Sequence, residues 1–165
     1  MATRIGTESD PIKMLEHLMA LDYDAIDAYQ AAIERLDDDS YVSVMLQFKG
    51  DHERHILELG PDITQLGGRP PDGPGAKSFL TSGKIKLANL AGDEAILRAM
   101  RTNESDTNIA YERAFENCPP EARETLARGR DDERRHLEWL VSTIKEKDAS
   151  RGRRKGAQDR PPPHP

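Results

Sequence analysis

With 165 residues the chain is long enough for one domain with a sizeable core, and its plentiful Ala, Leu, Glu and Arg favour helices over sheet. The formal net charge of −6 is unevenly placed: from Ser150 onward five Arg or Lys face a single Asp, so residues 1–149 hold −10. An acidic body is a poor nucleic-acid surface and attracts cations; no stretch is long and apolar enough to span a membrane, and the start MATRIGTESD has no apolar signal core. The lone Cys118 excludes an internal disulfide, fits a reducing compartment and points to the cytoplasm.

The first element is announced by Asp10-Pro11, a capping carboxylate followed by a residue suited to the first helical turn. An apolar stripe from Ile12 through Leu15, Leu18, Ile26, Tyr29 and Ile33 to Leu36 predicts a helix over 11–36. After DDDS at 37–40, Val44, Met45, Phe48, Ile56, Leu59 and Leu66 predict a second helix. It ends at GGRPPDGPG, where three prolines and four glycines forbid regular structure. SFLTSGKIKLANL, 78–90, reads as a short helix inside a long connection. A third helix follows an Asp cap over about 93–116, and a fourth starts at Pro119-Pro120-Glu121 and runs to about Lys147. Residues 1–149 are thus one helical domain, and the basic, Pro-rich segment 150–165 reads as a disordered tail. Short turns make helices one and two, and three and four, antiparallel neighbours; the connection of some 25 residues between the hairpins is long enough to cross the bundle.

The two hairpins repeat one another. LDYDAIDAYQAAI places Asp22 seven residues before Tyr29, and NESDTNIAYERAF places Glu104 seven before Tyr111, so each pair shares one helix face. DHERHILEL aligns with DERRHLEWL when His55 is set over His136; Asp22 to His55 is 33 residues and Glu104 to His136 is 32. In the second copy Glu133-x-x-His136 puts a carboxylate and an imidazole on one face. A Glu from each of two helices plus Glu-x-x-His from each of the other two is the ligand pattern of dinuclear iron carboxylate bundles. Carboxylates there bridge two cations and neutral imidazoles terminate them. Asp22, Glu104, Glu133, His55 and His136 are accordingly candidate metal ligands, with the Tyr29 and Tyr111 hydroxyls expected to hydrogen-bond ligand carboxylates.

On these motifs, and over about residues 20–140, the chain resembles the ferritin-like superfamily, especially its rubrerythrin and bacterioferritin branches. GDEAILRAMRTNESDTNIAYERAF looks more narrowly like the third helix of an uncharacterised bacterial ferritin-like family of the DUF2383 type. The resemblance implies an all-α, ferritin-like four-helix bundle built of two repeated helical hairpins and a long crossover. It also implies that Asp51 and Asp132 orient His136 and His55 across the bundle.

The pattern is broken at His52, which stands where the first copy should carry Glu. Glu53 cannot replace it, because one step along a helix turns a side chain by about 100°. Taken as a ligand, His52 leaves three carboxylates against two divalent ions, which should weaken the second. The carboxylate that rubrerythrins carry three residues after the third-helix Glu is Thr107 here, and no Cys-x-x-Cys electron-transfer domain is present. The resulting expectation is an iron-binding protein holding one or two ions, with zinc or manganese as alternatives. Its chemistry would be ferroxidase-like oxidation or reduction of oxygen or peroxide. The alternative is a structural or stress-associated interaction module with an incomplete site. A homodimer is the expected assembly, without nucleic-acid or membrane partners.

Overall fold

The computed structural model describes residues 3–74 and 90–158, and among these there are four α-helices and no strand. Helix α1 spans Pro11–Ile33, with Asp10 Oδ1 accepting from the Ile12 amide at 2.9 Å. It stops three residues short of the expected end. Leu36 still lies in the core, but on the turn that follows, so its apolar character extends the stripe beyond the helix.

Helix α2, Asp39–Gln65, is capped by Asp38 and closed by glycine at the point where the chain must turn left-handed. Gly67 has φ of 85°, and the Gly67 and Gly68 amides donate back to the Thr64 and Ile63 carbonyls. This is the Schellman arrangement that satisfies the last carbonyls.

Helix α3, Asp93–Asn117, begins after Gly92, and Asp93 does not cap it. Its Oδ1 instead accepts from the Asp37 amide at 2.8 Å, tying the start of α3 to the α1–α2 turn. A 3₁₀ turn, Pro120–Ala122, leads into α4, Arg123–Gln158. The short helix expected over 78–90 falls on residues outside the described ones, Leu90 apart.

Helix α4 runs eleven residues past the expected Lys147, through part of the segment read as a tail. The segment 151–158 holds no proline to break the helix. Arg151 also reaches Glu94 at 2.8 Å. An exposed pair of this kind contributes at most about 1 kcal/mol. Deleting residues 151–165 is therefore expected to shift the melting temperature by no more than about 4 °C, measured by circular dichroism; a larger fall would mean that this segment packs on the bundle.

Side-chain pairs set the topology. Tyr29 meets Glu104 while Tyr111 meets Asp22, so α1 and α3 run antiparallel. His55 meets Asp132 while His136 meets Asp51, so α2 and α4 do too. With each hairpin antiparallel, α2 and α3 must run parallel, so the end of α2 and the start of α3 lie at opposite ends of the bundle.

Two apolar clusters fill the interior. One gathers Met14, Leu15, Leu18, Leu59, Ile63 and Leu126, and the other Met45, Phe48, Ile96, Met100, Leu140 and Ile144. Between them lies a layer of buried polar residues contributed by all four helices.

Candidate metal centre

Each helix places its polar residues in that layer through the spacings of the sequence. Asp22 and Tyr29 come from α1, His52 and His55 from α2, Glu104 and Tyr111 from α3, and Glu133 and His136 from α4. All eight are at most 2 % exposed. The six candidate ligands form two overlapping groups, Asp22, His52, His55 and Glu133, and His52, Glu104, Glu133 and His136. Within each group, one ligand atom per residue can be chosen so that all lie within 4.8 Å of one another.

In the first group, Asp22 Oδ1 lies 2.9 Å from His52 Nδ1 and 3.4 Å from His55 Nδ1. Glu133 Oε1 is 3.5 Å from His52 Nδ1 and 3.6 Å from His55 Nδ1. In the second, Glu104 Oε2 is 3.6 Å from His136 Nδ1, and Glu104 Oε1 is 3.6 Å from His52 Nε2. Most of these separations are too long for hydrogen bonds. Ligand atoms bound at about 2.0–2.2 Å to one ion stand roughly 3.0–3.5 Å apart, which is close to the spacing seen.

Outer contacts hold the candidate ligands in place. Tyr29 donates to Glu104 Oε1 at 2.5 Å and Tyr111 to Asp22 Oδ2 at 2.8 Å, each crossing between α1 and α3. His136 Nε2 lies 3.0 Å from Asp51 Oδ2 and His55 Nε2 lies 3.2 Å from Asp132 Oδ2. Both imidazoles are thereby turned with Nδ1 inward. Phe48 stacks on His136 with ring centroids 4.1 Å apart. Glu53, by contrast, is exposed and pairs with Lys49 at 3.0 Å, as the helical rotation requires.

Crowding three carboxylates in a dry layer divides their protonation. Burial, reinforced by Glu104 and Asp22, pushes the Glu133 carboxyl well above the usual range despite His52 nearby. Burial also acts to raise Glu104, but His136 and His52 outweigh it and hold that carboxyl low. Asp22 is likewise lowered, the pull of His52 and His55 exceeding its desolvation. For His52 burial opposes the charged form, yet Glu133, Asp22 and Glu104 raise it well above an ordinary histidine. Burial first, and then the carboxylates they contact, keep the Tyr29 and Tyr111 phenols protonated.

The residues that sequence reading did not single out are Arg54, Arg135 and Gly129. Arg54 Nη2 touches Asp51 at 2.9 Å and Asp132 at 2.6 Å, and Arg135 touches Asp132 at 2.7 Å and Asp51 at 2.5 Å. These four residues close the α2–α4 side of the layer. Their signal was present, because Asp-x-x-Arg-His occurs in both copies of the repeat. Gly129 lets α4 approach the Tyr111 ring: a Cβ there would lie 2.4 Å from Cε1 of the residue that holds Asp22.

Fold and layer together define the class, an all-α four-helix bundle whose buried carboxylates and histidines could hold metal. The chain belongs to the family described as Domain of unknown function (DUF2383), whose model matches residues 10–117. That match takes in α1, α2 and α3, with Asp22, His52, His55 and Glu104; Glu133 and His136 lie beyond it on α4. Comparison with curated proteins and with solved structures returned no match. Among the described residues no helix is long and apolar enough to cross a membrane.

Proposed function

We propose that the chain is a ferritin-like metal-binding protein holding divalent ions, iron foremost, among Asp22, His52, His55, Glu104, Glu133 and His136. The observation that carries this reading is where buried side-chain atoms without hydrogen-bond partners gather: of eight among the described residues, Asp62 Oδ2, Asn103 Nδ2 and Asn108 Nδ2 lie elsewhere, and the other five are both Glu133 oxygens, Glu104 Oε2, His52 Nε2 and His136 Nδ1. Each such atom costs roughly 1–3 kcal/mol if left unmet. All five belong to residues of the two ligand groups, and a cation is the partner they share. Mixed oxygen and imidazole donors suit iron and the later first-row ions better than magnesium or calcium.

Bound iron would supply one-electron exchange with oxygen or peroxide, the basis of a ferroxidase-like activity. The protein's part is to fix the ligands through Tyr29, Tyr111, Asp51 and Asp132, to exclude bulk water, and to keep both phenolic protons in place.

Anaerobic ferrous titration calorimetry tests the reading. Wild type is expected to bind one or two ions per chain, and Glu133→Ala, which removes a donor from both groups, to lose most of that binding with its helical circular dichroism intact, since Ala is a strong helix former. A wild type that takes up no metal, or a Glu133→Ala protein with wild-type stoichiometry, would overturn it in favour of an interaction module.

A further inference from the structure

His52 is where the two hairpins differ in kind, its counterpart in the repeat being Glu133. These are also the two residues common to both ligand groups. The repeat therefore sets an imidazole on α2 opposite a carboxylate on α4, each shared between the halves of the layer. Each has two donor atoms that diverge. Glu133 has two oxygens, both without partners. His52 has Nδ1, which lies 2.9 Å from Asp22 Oδ1, and Nε2, which lies 3.6 Å from Glu104 Oε1 and has no hydrogen-bond partner. Asp22 belongs only to the first group and Glu104 only to the second. One ring thus faces both.

Building on the metal reading above, we propose that His52 bridges two ions, Nδ1 to the ion held by Asp22 and His55, and Nε2 to the ion held by Glu104 and His136. Glu133 supplies its negative charge on the opposite side of the layer, within reach of both groups. Each ring nitrogen gives a lone pair, so the ring's remaining N–H proton leaves to solvent as the second ion binds, and the bridge is an imidazolate with one negative charge. No electron is transferred. The charge shortfall expected from three carboxylates then disappears: Asp22, Glu104, Glu133 and the His52 ring match two dications.

The bridge also sets the distance between the ions. Two bonds of about 2.0–2.1 Å on opposite sides of an imidazole ring hold them about 6 Å apart, against about 3.5–4 Å in the common two-metal sites. A wide, nitrogen-rich pair suits zinc, copper or cobalt as well as iron.

Zinc is the probe that avoids redox change. Calorimetric titration of wild type in buffers of different ionisation enthalpy, beside His52→Gln and His52→Glu, gives stoichiometry and protons released. Anomalous diffraction at the zinc edge gives the separation. The expected result is two ions per chain about 6 Å apart on either side of His52, with an additional proton released on second binding. His52→Gln, which cannot present two ring lone pairs, should weaken the second ion by about 100-fold or more with circular dichroism unchanged. His52→Glu should restore two ions at a shorter separation. Two tight ions in His52→Gln, or a wild-type pair about 3.5–4 Å apart, would overturn the bridge and leave the metal reading standing. A single ion in wild type would do the same. No zinc at all, with no iron in the ferrous titration, would overturn both.

Discussion

Glu133→Gln is expected to abolish metal binding and, in the metal-free protein, to raise the melting temperature. Glu133 is the only carboxylate common to both ligand groups, so its loss strikes every ion the layer can hold. The same carboxylate is fully buried with neither oxygen hydrogen-bonded, the kind of group that costs about 1–3 kcal/mol. Glutamine keeps the shape, is neutral without having to take up a proton on folding, and brings an N–H that can donate to Glu104. At about 2–4 °C per kcal/mol for a chain of this size, the gain is roughly 2–12 °C. The effect has a pH signature. Because the folded-state pKa of Glu133 is raised above its unfolded value, its contribution is fully present below the unfolded pKa and is lost as pH rises through the folded one. The advantage of Glu133→Gln should therefore be small near pH 4.5 and grow as pH rises. Melting curves across pH, beside zinc titration, check both halves; a variant less stable than wild type at neutral pH would mean that Glu133 finds a partner in solution. Stability given up at one residue for the sake of function is the expected mark of a binding site.

What the sequence made legible follows from how local the cause is. Asp10-Pro11 defines the start of α1 because capping is decided within four residues, and Asp38 does the same for α2. The inward set at Asp22, Glu104, Glu133 and His136 was legible because helical period alone fixes which side chains share a face, and the repeat said which faces meet. Features settled by distant partners were not. Asp93 has the composition of a cap, yet its carboxylate accepts from Asp37, 56 residues away. Nothing local marks Arg54 as more than a solvated cation, although its place in the repeated Asp-x-x-Arg-His was visible. The far part of α4 was misread because net charge and terminal prolines weighed more than the helix-compatible residues preceding them.

The quasi-symmetry of the outer contacts gives a prediction that separates the two halves of the site. Asp132 lies against His55 and Asp51 against His136, so each aspartate orients a histidine of one ligand group only. Burial tends to raise Asp51, but His136 and Arg54 hold it at about 2, so it is a full anion at neutral pH; Asp132 is lowered more, by His55 and Arg54 against its burial. Removing such a partner weakens metal binding by about 10–100-fold. Asp132→Ala should thus weaken the ion proposed near His55 and spare that near His136, while Asp51→Ala should do the reverse. The arginines set the scale for comparison. Arg54 and Arg135 each contact both aspartates and are partly exposed, so neither favours one ion, and a loss of about 1 kcal/mol or less is expected from either pair. Zinc titrations of Asp51→Ala, Asp132→Ala, Arg54→Ala and Arg135→Ala distinguish the cases: one tight and one weakened ion for each aspartate variant, and two slightly weakened ions for each arginine variant. Equal loss of both ions in either aspartate variant would show that the four residues act as one rigid unit, with the arginines transmitting the loss from one histidine to the other.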